Sequence, residues 1–295
     1  MNNVDVAVIG SLNYDFFLKV NRSPKPGETM HANELQFSCG GKGANQAFQM
    51  GRLGLNVLMV GAVGKDVYGE KSMASLESAG VDVSCVKQVD SNTGMGFVTV
   101  QQDGEVSAVI EKGANQFVTV DVINEAYDRI FQSQFIVLQM EIPLETIYYV
   151  IQEASKHQVK VILNPAPSLP ISDELLGLVD YLIVNEVEAA YYLGEDKSEE
   201  ALLNDVFTLR NKVKHGLVLT YGSKGSYYID NDITMIPIYK VNAVDTTCAG
   251  DSYIGAFVYG LCKGYSPIKA CQFGAYTSAK TVETFGRNSM PNHLE

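Results

Sequence analysis

The segment 244–260 reads Val244-Asp-Thr-Thr-Cys-Ala-Gly-Asp-Ser-Tyr-Ile-Gly-Ala-Phe-Val-Tyr-Gly260, and the rest of the chain is organised around it. Small residues around Gly250 predict a loop, and the apolar residues that follow have the spacing of one helical face. At a helix start the first backbone N–H groups have no partner within the helix. Together with the helix dipole, the N–H groups of Cys248, Ala249 and Gly250 can therefore bind an anion such as a phosphate.

Asp251 lies in the predicted first turn, and two interpretations of it remain open. A carboxylate beside a phosphate site can accept the proton of an attacking hydroxyl, as the catalytic aspartate of kinases does. Acidic residues are also common in first turns, where they stabilise the helix dipole without any catalytic role. This segment alone supports both interpretations equally.

Two motifs resemble the signatures of one enzyme family. Asp245-Thr-Thr-Cys-Ala-Gly-Asp251 resembles the C-terminal signature of the ribokinase-like carbohydrate kinases, which usually has Gly or Ala in place of Cys248. Gly40-Gly-Lys-Gly-Ala-Asn-Gln-Ala47 resembles their N-terminal signature, and the two lie about two hundred residues apart in the family order. Five shorter segments extend the resemblance over essentially the whole chain: Gly10-Ser-Leu-Asn-Tyr-Asp15, Pro26-Gly-Glu-Thr29, Gly113-Ala-Asn115, Asn164-Pro-Ala-Pro167 and Asn185-Glu-Val-Glu188.

The composition is that of a protein without a nucleic-acid or membrane partner. The chain has 295 residues, 46% of them hydrophobic, and a net charge of −12. A nucleic acid or an anionic membrane would require a basic surface. Neither a membrane span nor a signal peptide is visible, so we expect a cytoplasmic protein. Five cysteines without a C-x-x-C pair and four scattered histidines suggest neither a disulfide framework nor a transition-metal site.

The chain alternates predicted strands and helices. Predicted helices lie near 67–79, 121–131 and 270–282, and predicted strands at 4–9, 57–63, 135–139, 159–163, 181–184 and 217–220. Such alternation specifies an α/β fold with a parallel sheet covered on both faces. The resemblance implies the α/β/α sandwich of ribokinase-like kinases with a small β-sheet lid. No linker is visible, so we expect a single domain over residues 1–295.

Four extended segments interrupt this alternation, at 16–20, 29–37, 93–101 and 105–111. Asp103-Gly104 joins the last two and is a strong hairpin signal. These segments resemble the four-stranded lid that covers the sugar in the family, inserted here at about 12–38 and 92–112. Two such lids commonly bury an apolar face against each other, so the resemblance implies a homodimer through the lid.

The glycine-rich segment 40–47 runs into a predicted helix, where its glycines allow a ligand to approach the backbone closely. It lacks the G-x-x-x-x-G-K-[ST] pattern of a P-loop, and Gln46 stands where the dinucleotide motif requires its last glycine. P-loop nucleotide hydrolases and dinucleotide-binding dehydrogenases are therefore disfavoured.

Asn13 and Asp15 lie two residues apart after the first predicted strand, so on an extended segment their side chains share one face. An amide and a carboxylate on one face suit the hydroxyls of a sugar. The alternative is a turn in which both side chains bind local backbone. The resemblance favours the sugar and adds further residues to its site: Gly41, Lys42, Asn45, Glu141 and Asp251.

Asn185 and Glu188 can be interpreted in two ways. Two oxygen ligands at this spacing could organise Mg2+ and its water shell, as the resemblance implies. The alternative is a capping box at a helix start. The resemblance also implies nucleotide contacts at Asn185, Glu188, Gly250, Thr220, Gly222 and Gly225, with Tyr221 in place of a more usual small or aliphatic residue. It further implies a monovalent-cation loop for K+ at Asp245, Thr247, Thr281, Thr284, Gly286 and Ser289.

The activity implied is ATP-dependent phosphorylation of the 5-hydroxyl of D-ribose. Asp251 would be the general base, and the N–H groups of Cys248, Ala249, Gly250 and Asp251 would stabilise charge on the phosphoryl group. The alternatives are a kinase of the same superfamily acting on deoxyribose, a ketohexose or a nucleoside such as adenosine, and a non-catalytic sugar-binding regulator. Cys248 itself is either a reactive thiol at a helix N-terminus or a small inert residue.

Overall fold

The computed structural model describes residues 4–102, 105–194 and 198–292, which form a nine-stranded sheet flanked by helices and a separate four-stranded sheet. The strands are β1 (Val6–Ile9), β2 (Asn13–Val20), β3 (Glu34–Gly40), β4 (Val57–Gly64), β5 (Asp82–Val89), β6 (Gly94–Gln101), β7 (Val106–Glu111), β8 (Phe135–Leu138), β9 (Lys160–Leu163), β10 (Tyr181–Asn185), β11 (Gly216–Thr220), β12 (Ser226–Ile229) and β13 (Ile233–Ile236).

The α-helices are α1 (Lys42–Arg52), α2 (Val67–Ser78), α3 (Val120–Glu125), α4 (Tyr127–Phe131), α5 (Leu144–His157), α6 (Asp173–Leu176), α7 (Glu186–Leu193), α8 (Glu199–Arg210), α9 (Ala249–Cys262) and α10 (Pro267–Thr281). None of the helices in the described ranges is long and apolar enough to cross a membrane.

The large sheet has the strand order β13-β12-β11-β10-β9-β8-β1-β4-β5. All neighbours from β11 to β5 are parallel, whereas β12 and β13 continue the sheet as an antiparallel hairpin. The chain leaves β1 first toward β4 and later toward β8, so the strand order reverses at β1. Open α/β sheets bind ligands outside the carboxyl ends of their strands at such a point. The loop that follows Ile9 is therefore where a ligand is expected.

Strand β1 shows why both faces of this sheet are covered. All four of its residues are fully buried. Ala7 and Ile9 belong to one apolar cluster and Val6 and Val8 to another, as the alternation of side chains along a strand requires. The prediction of a parallel sheet between two helical layers is confirmed.

The small sheet has the order β3-β2-β6-β7. Its central pair, β2 and β6, is parallel, and its outer pairs are antiparallel. The predicted turn residues Asp103 and Gly104 lie outside the described residues, although the two strands on either side of them pair in antiparallel register. Strands β2, β6 and β7 lie within the segments that were expected to form a lid, and β3 extends two residues past the end of the first segment.

Some elements differ from the prediction. Strand β5 and the hairpin of β12 and β13 were not predicted, and the second strand of the first lid segment extends over Glu34–Gly40 rather than over 29–37. The helix expected at 121–131 is two short helices that meet at Ala126. Helix α10 begins three residues earlier than predicted, because the Ser266 side chain caps it and a proline occupies its first position.

Candidate active site

Asp251 is where the two signature motifs meet. Asn45 Nδ2 donates to its Oδ2 at 2.9 Å, and Gln46 Nε2 donates to its Oδ1 at 3.0 Å. Helices α1 and α9 can pack closely enough for this because a Cβ at Gly255 would lie 2.7 Å from the Gln49 Cβ. Residues more than two hundred positions apart therefore form one polar centre.

The start of α9 differs in one respect from the prediction. The Ala249 N–H donates to the Thr246 carbonyl at 3.2 Å, so it is not free to bind an anion as expected. Gly250 and Asp251 lie in the first helical turn, where N–H groups have no partner within the helix. Apart from Gly250 itself, its two chain neighbours and the backbone of its own helix, none of the described atoms lies within 4 Å of the position that a Cβ would take at Gly250. The helix start thus faces open space on that side.

The first turn of α1 lies against the loop after β1. A Cβ at Gly41, whose φ is 87°, would lie 2.8 Å from the Asn13 nitrogen and from the Ser11 carbonyl oxygen. A Cβ at Gly43 would lie 2.7 Å from the Ser11 nitrogen. Only glycine permits this contact at both positions, and it brings the α1 N-terminus next to Asn13.

Asn13 and Asp15 lie on one face of β2, as predicted. Asn115 orients the first of them: its Nδ2 donates to Asn13 Oδ1 at 2.8 Å, and its own Oδ1 accepts from the Leu12 N–H at 2.9 Å. With its oxygen occupied, Asn13 can present its NH2 group to a ligand. Burial, and then the charge of Glu141, raises the pKa of Asp15 to about 6.

Glu141 and Lys42 also belong to this centre. Glu141 Oε2 accepts hydrogen bonds from the Ser11 hydroxyl and, at 3.1 Å, from the Lys42 backbone N–H. Burial alone would lower the pKa of the Lys42 ammonium, but the carboxylates of Asp251 and Glu141 outweigh it and raise that pKa. A permanent cation therefore lies among the carboxylates.

Asn185 and Glu188 form the capping box that was the alternative to a metal site. Asn185 Oδ1 accepts from the Glu188 N–H at 2.8 Å, and Glu188 Oε2 accepts from the Asn185 N–H at 2.9 Å. Burial raises the pKa of the Glu188 carboxyl. In the sheet register Asn185 lies beside Thr220, and the turn after Thr220 contains two glycines in the left-handed region, Gly222 at φ 49° and Gly225 at φ 111°.

The two segments of the predicted cation loop are joined through Asp245. Its Oδ1 accepts from the Thr247 N–H and its Oδ2 from the Gly286 N–H, both at 2.9 Å. Ser289 Oγ donates to the Gly286 carbonyl at 2.6 Å. Thr281 does not take part in these contacts, because its buried hydroxyl donates to Ser252 Oγ at 2.7 Å. Thr284 is exposed. The described residues contain no group of three or more His, Cys, Asp and Glu side chains arranged for a metal ion.

Arg287 was not predicted as part of the centre. It is 1% exposed, lies 4.8 Å from the ring centroid of Phe48, and donates from Nη2 to Ser75 Oγ at 2.7 Å, while Nη1 lies 3.5 Å from Asn45 Oδ1. A cavity of about 310 Å³ adjoins it, and none of the cavity's lining residues is a predicted sugar or nucleotide residue; they include Tyr14, Phe37, Lys71 and Phe285.

Cys248 precedes α9 with a φ of 63°, in the left-handed region that favours glycine. This backbone explains why glycine suits the position in the family signature. Burial raises the pKa of the Cys248 thiol well above its usual range, and the charge of Asp251 acts in the same direction. The structure thus favours the unreactive alternative, because the thiolate is the reactive form.

We expect wild-type Cys248 to resist alkylation at neutral pH, and Cys248→Gly to be about 1 kcal/mol more stable than Cys248→Ala, because only glycine relieves the left-handed backbone. Mass spectrometry after limited iodoacetamide treatment and urea unfolding of both variants measure these outcomes. Cys39, Cys85 and Cys262, which are also partly buried, serve as internal references for the labelling rate. Fast labelling of Cys248 that ATP slows would contradict the expectation.

Comparison with known proteins agrees with this geometry. The family model described as pfkB family carbohydrate kinase matches residues 3–293. A ribokinase of Schizosaccharomyces pombe is 36% identical over 306 residues, covering 99% of this chain and 96% of its own. A deoxyribokinase of Salmonella typhi is 36% identical over 260 residues, with coverages of 87% and 85%. The structure of Arabidopsis thaliana ribokinase complexed with ribose and ATP is similar at a TM-score of 0.88 and 30% identity, covering 97% of this chain and 95% of that one. As its two signatures predicted, the chain belongs to the pfkB family of carbohydrate kinases.

Proposed function

We propose that this protein transfers the γ-phosphoryl group of ATP to the 5-hydroxyl of D-ribose. The observation that carries the proposal is the contact of Asn45 and Gln46 with Asp251, at a helix start that faces open space. Ribokinase relatives and a related structure that contains ribose and ATP support the same activity. A cytoplasmic location is part of the proposal, because ATP is the phosphoryl donor and all five cysteines are unpaired.

In this proposal Asp251 takes the proton of the sugar hydroxyl, and the N–H groups of Gly250 and Asp251 stabilise charge on the phosphoryl group. The polar residues around the loop after β1 hold the sugar: Asn13, Asp15, Gly41, Lys42, Asn45 and Glu141. This assignment of the sugar site is supported by the hydrogen bonds and the strand register, which link most of these residues into one centre next to Asp251. A closed lid would exclude water, which otherwise competes as phosphoryl acceptor.

The nucleotide would lie along the carboxyl ends of β10 and β11, beside Thr220 and the glycine turn with Gly222 and Gly225. Mg2+ would supply positive charge that offsets the charge of the phosphates. Asn185 and Glu188 already bind each other through both carboxylate oxygens of Glu188. These two residues therefore fit an indirect role, in which they orient water molecules of the ion rather than bind the ion itself.

A K+ ion would stabilise the loop from Asp245 to Asp251 without touching the substrate. The connection of this loop to Gly286 through Asp245 supports the proposal, because an ion between the two segments would stabilise the start of α9. The hydroxyl of Thr281 is engaged with Ser252, so this residue would contribute its carbonyl oxygen.

A second copy of the chain would cover the lid. In the described part of the small sheet five large apolar side chains are exposed by 43% to 71%, and the register places all of them except Ile110 on one face: Leu35, Phe37, Phe97 and Val109. An apolar face of this kind on a small sheet favours a protein–protein contact. A two-fold pair of lids would bury it.

We expect ADP release to require Mg2+ and to have its highest kcat/KM with D-ribose in a panel with 2-deoxy-D-ribose, a ketohexose and adenosine. Rates should be higher with K+ than with a bulky organic cation at equal ionic strength. A coupled assay measures all of these. Higher kcat/KM with 2-deoxyribose would shift the assignment to the activity of the deoxyribokinase relative, and a lack of turnover with every compound would refute a kinase.

We expect Asp251→Asn to lower kcat by roughly 10²- to 10⁴-fold, the usual range for loss of a general base, while sugar binding measured by calorimetry persists. Asp121→Asn is the matched control, because Asp121 is also an acid in a first helical turn, that of α3. Equal and small effects of the two substitutions would show that Asp251 is only a helix-start acid.

We expect the wild-type protein to sediment as a dimer and Phe97→Asp or Val109→Asp to sediment as a monomer, since a carboxylate would be buried in the contact. Ile268→Asp, which changes an exposed apolar side chain on α10, should leave the dimer intact. A monomeric wild-type protein at micromolar concentration would contradict the proposed pairing.

A further inference from the structure

Behind Asp251 lies a group of three buried amide side chains. Gln46 and Gln139 are fully buried and Asn164 is 6% exposed. Gln139 Nε2 donates to Gln46 Oε1 at 2.7 Å, and Gln46 Nε2 lies 3.0 Å from Asp251 Oδ1 and 3.4 Å from Asn164 Oδ1. Within the described residues Gln139 Oε1 accepts no hydrogen bond, but the bonds that do form link the three amides to Asp251 and restrict their motion.

The network fixes which way the Gln46 amide points. Since Gln139 donates to Oε1 of Gln46, the NH2 group of Gln46 must face Asp251. The Gln139 side chain packs directly against the backbone of Gly10, so closely that a Cβ at Gly10 would lie 2.0 Å from Gln139 Oε1. Asn164 is anchored through its Nδ2, which donates to the Ile183 carbonyl at 3.0 Å. An amide flip at position 46 would turn an oxygen toward the carboxylate and is therefore excluded.

The two oxygens of Asp251 consequently have different surroundings. Oδ1 faces the buried amide of Gln46, while Oδ2 faces Asn45, which belongs to the proposed sugar site. A carboxylate oxygen accepts two hydrogen bonds, so Oδ2 keeps one acceptor site for a ligand hydroxyl. A bond to Oδ1 can persist throughout the reaction.

We propose that Gln46 is a positioning residue for the reaction: oriented by Gln139, it holds the Asp251 side chain so that Oδ2 is directed at the sugar hydroxyl. This inference rests on the proposed function. During transfer the hydroxyl O–H bond breaks and its proton joins Oδ2, the hydroxyl oxygen bonds to the γ-phosphorus, and the bond from that phosphorus to the bridging oxygen of ADP breaks.

The test compares kcat at saturating sugar over pH 5 to 9 for Gln46→Met, Gln139→Met and the double variant. Gln46→Met should lower kcat by about 10- to 100-fold, the size expected for a hydrogen bond to a charged group. Its acidic limb should move to higher pH, because the ionised carboxylate has lost a donor. Gln139→Met should act in the same direction with a smaller effect, and the two effects should not add, since both act through one amide.

Gln49→Met is the matched control. Gln49 lies on the same helix and is fully buried, but it binds the Pro291 carbonyl and the Ser252 hydroxyl instead of Asp251. Its loss should lower the free energy of unfolding without moving the pH profile. Identical profiles for Gln46→Met, Gln49→Met and wild type would overturn the proposal.

A second measurement needs no substrate. In the ligand-free protein the side-chain amide signal of Gln46, identified by its absence from Gln46→Met, should shift with pH in the nuclear magnetic resonance spectrum and stop doing so in Asp251→Asn. If ribose fails as a substrate while this shift is present, the proposed function is wrong and the positioning role stands. If the amide signal does not respond to pH, the positioning role is wrong whichever sugar is phosphorylated.

Discussion

The structure depends on the contact between the N-terminus of α1 and the N-terminus of α9. It exists because Gly43 lets α1 approach the loop after β1, and Gly255 lets α9 approach α1. Two helix starts then lie beside one carboxylate, Asp251, which accepts one amide N–H from each of two neighbouring residues. A larger side chain at either glycine would separate the two signature motifs, and the polar centre would lose its geometry.

The fold was predictable from local patterns wherever one strand or helix carries its own signal. The buried strands at β1, β4 and β8 are apolar runs bounded by glycine or polar residues, and the sheet order follows from their alternation with helices. Strand β5 was not predicted because it is an edge strand in which only half of the residues alternate between polar and apolar. Strands β12 and β13 have four residues each, too few to show the two-residue period of a strand. The family resemblance, rather than periodicity, indicated the lid.

The site was predictable only in part, for a physical reason. Asp251, Asn45 and Asn13 lie in motifs, so their positions in the chain indicated their importance. Gln139 and Arg287 contribute through contacts that exist only after folding, and a glutamine at a strand end or an arginine in a loop has no distinctive local pattern. Asn115 was noticed as part of a motif, but its contact with Asn13 crosses 102 positions.

The charges of the centre limit what it can bind. Asp15, Glu141, Glu188 and Asp251 are carboxyl groups, and burial raises the pKa values of Asp15 and Glu188. Lys42 and the buried Arg287 are cations near them, and the raised pKa of Lys42 reflects the carboxylates of Asp251 and Glu141. A nucleoside triphosphate would add several negative charges to this group, and the chain already has a net charge of −12. The N–H groups at the start of α9 offset part of that charge, and the rest requires cations that enter with the nucleotide or occupy the adjacent loop. This electrostatic argument therefore supports the proposed Mg2+ and K+ ions, whichever residues bind them directly.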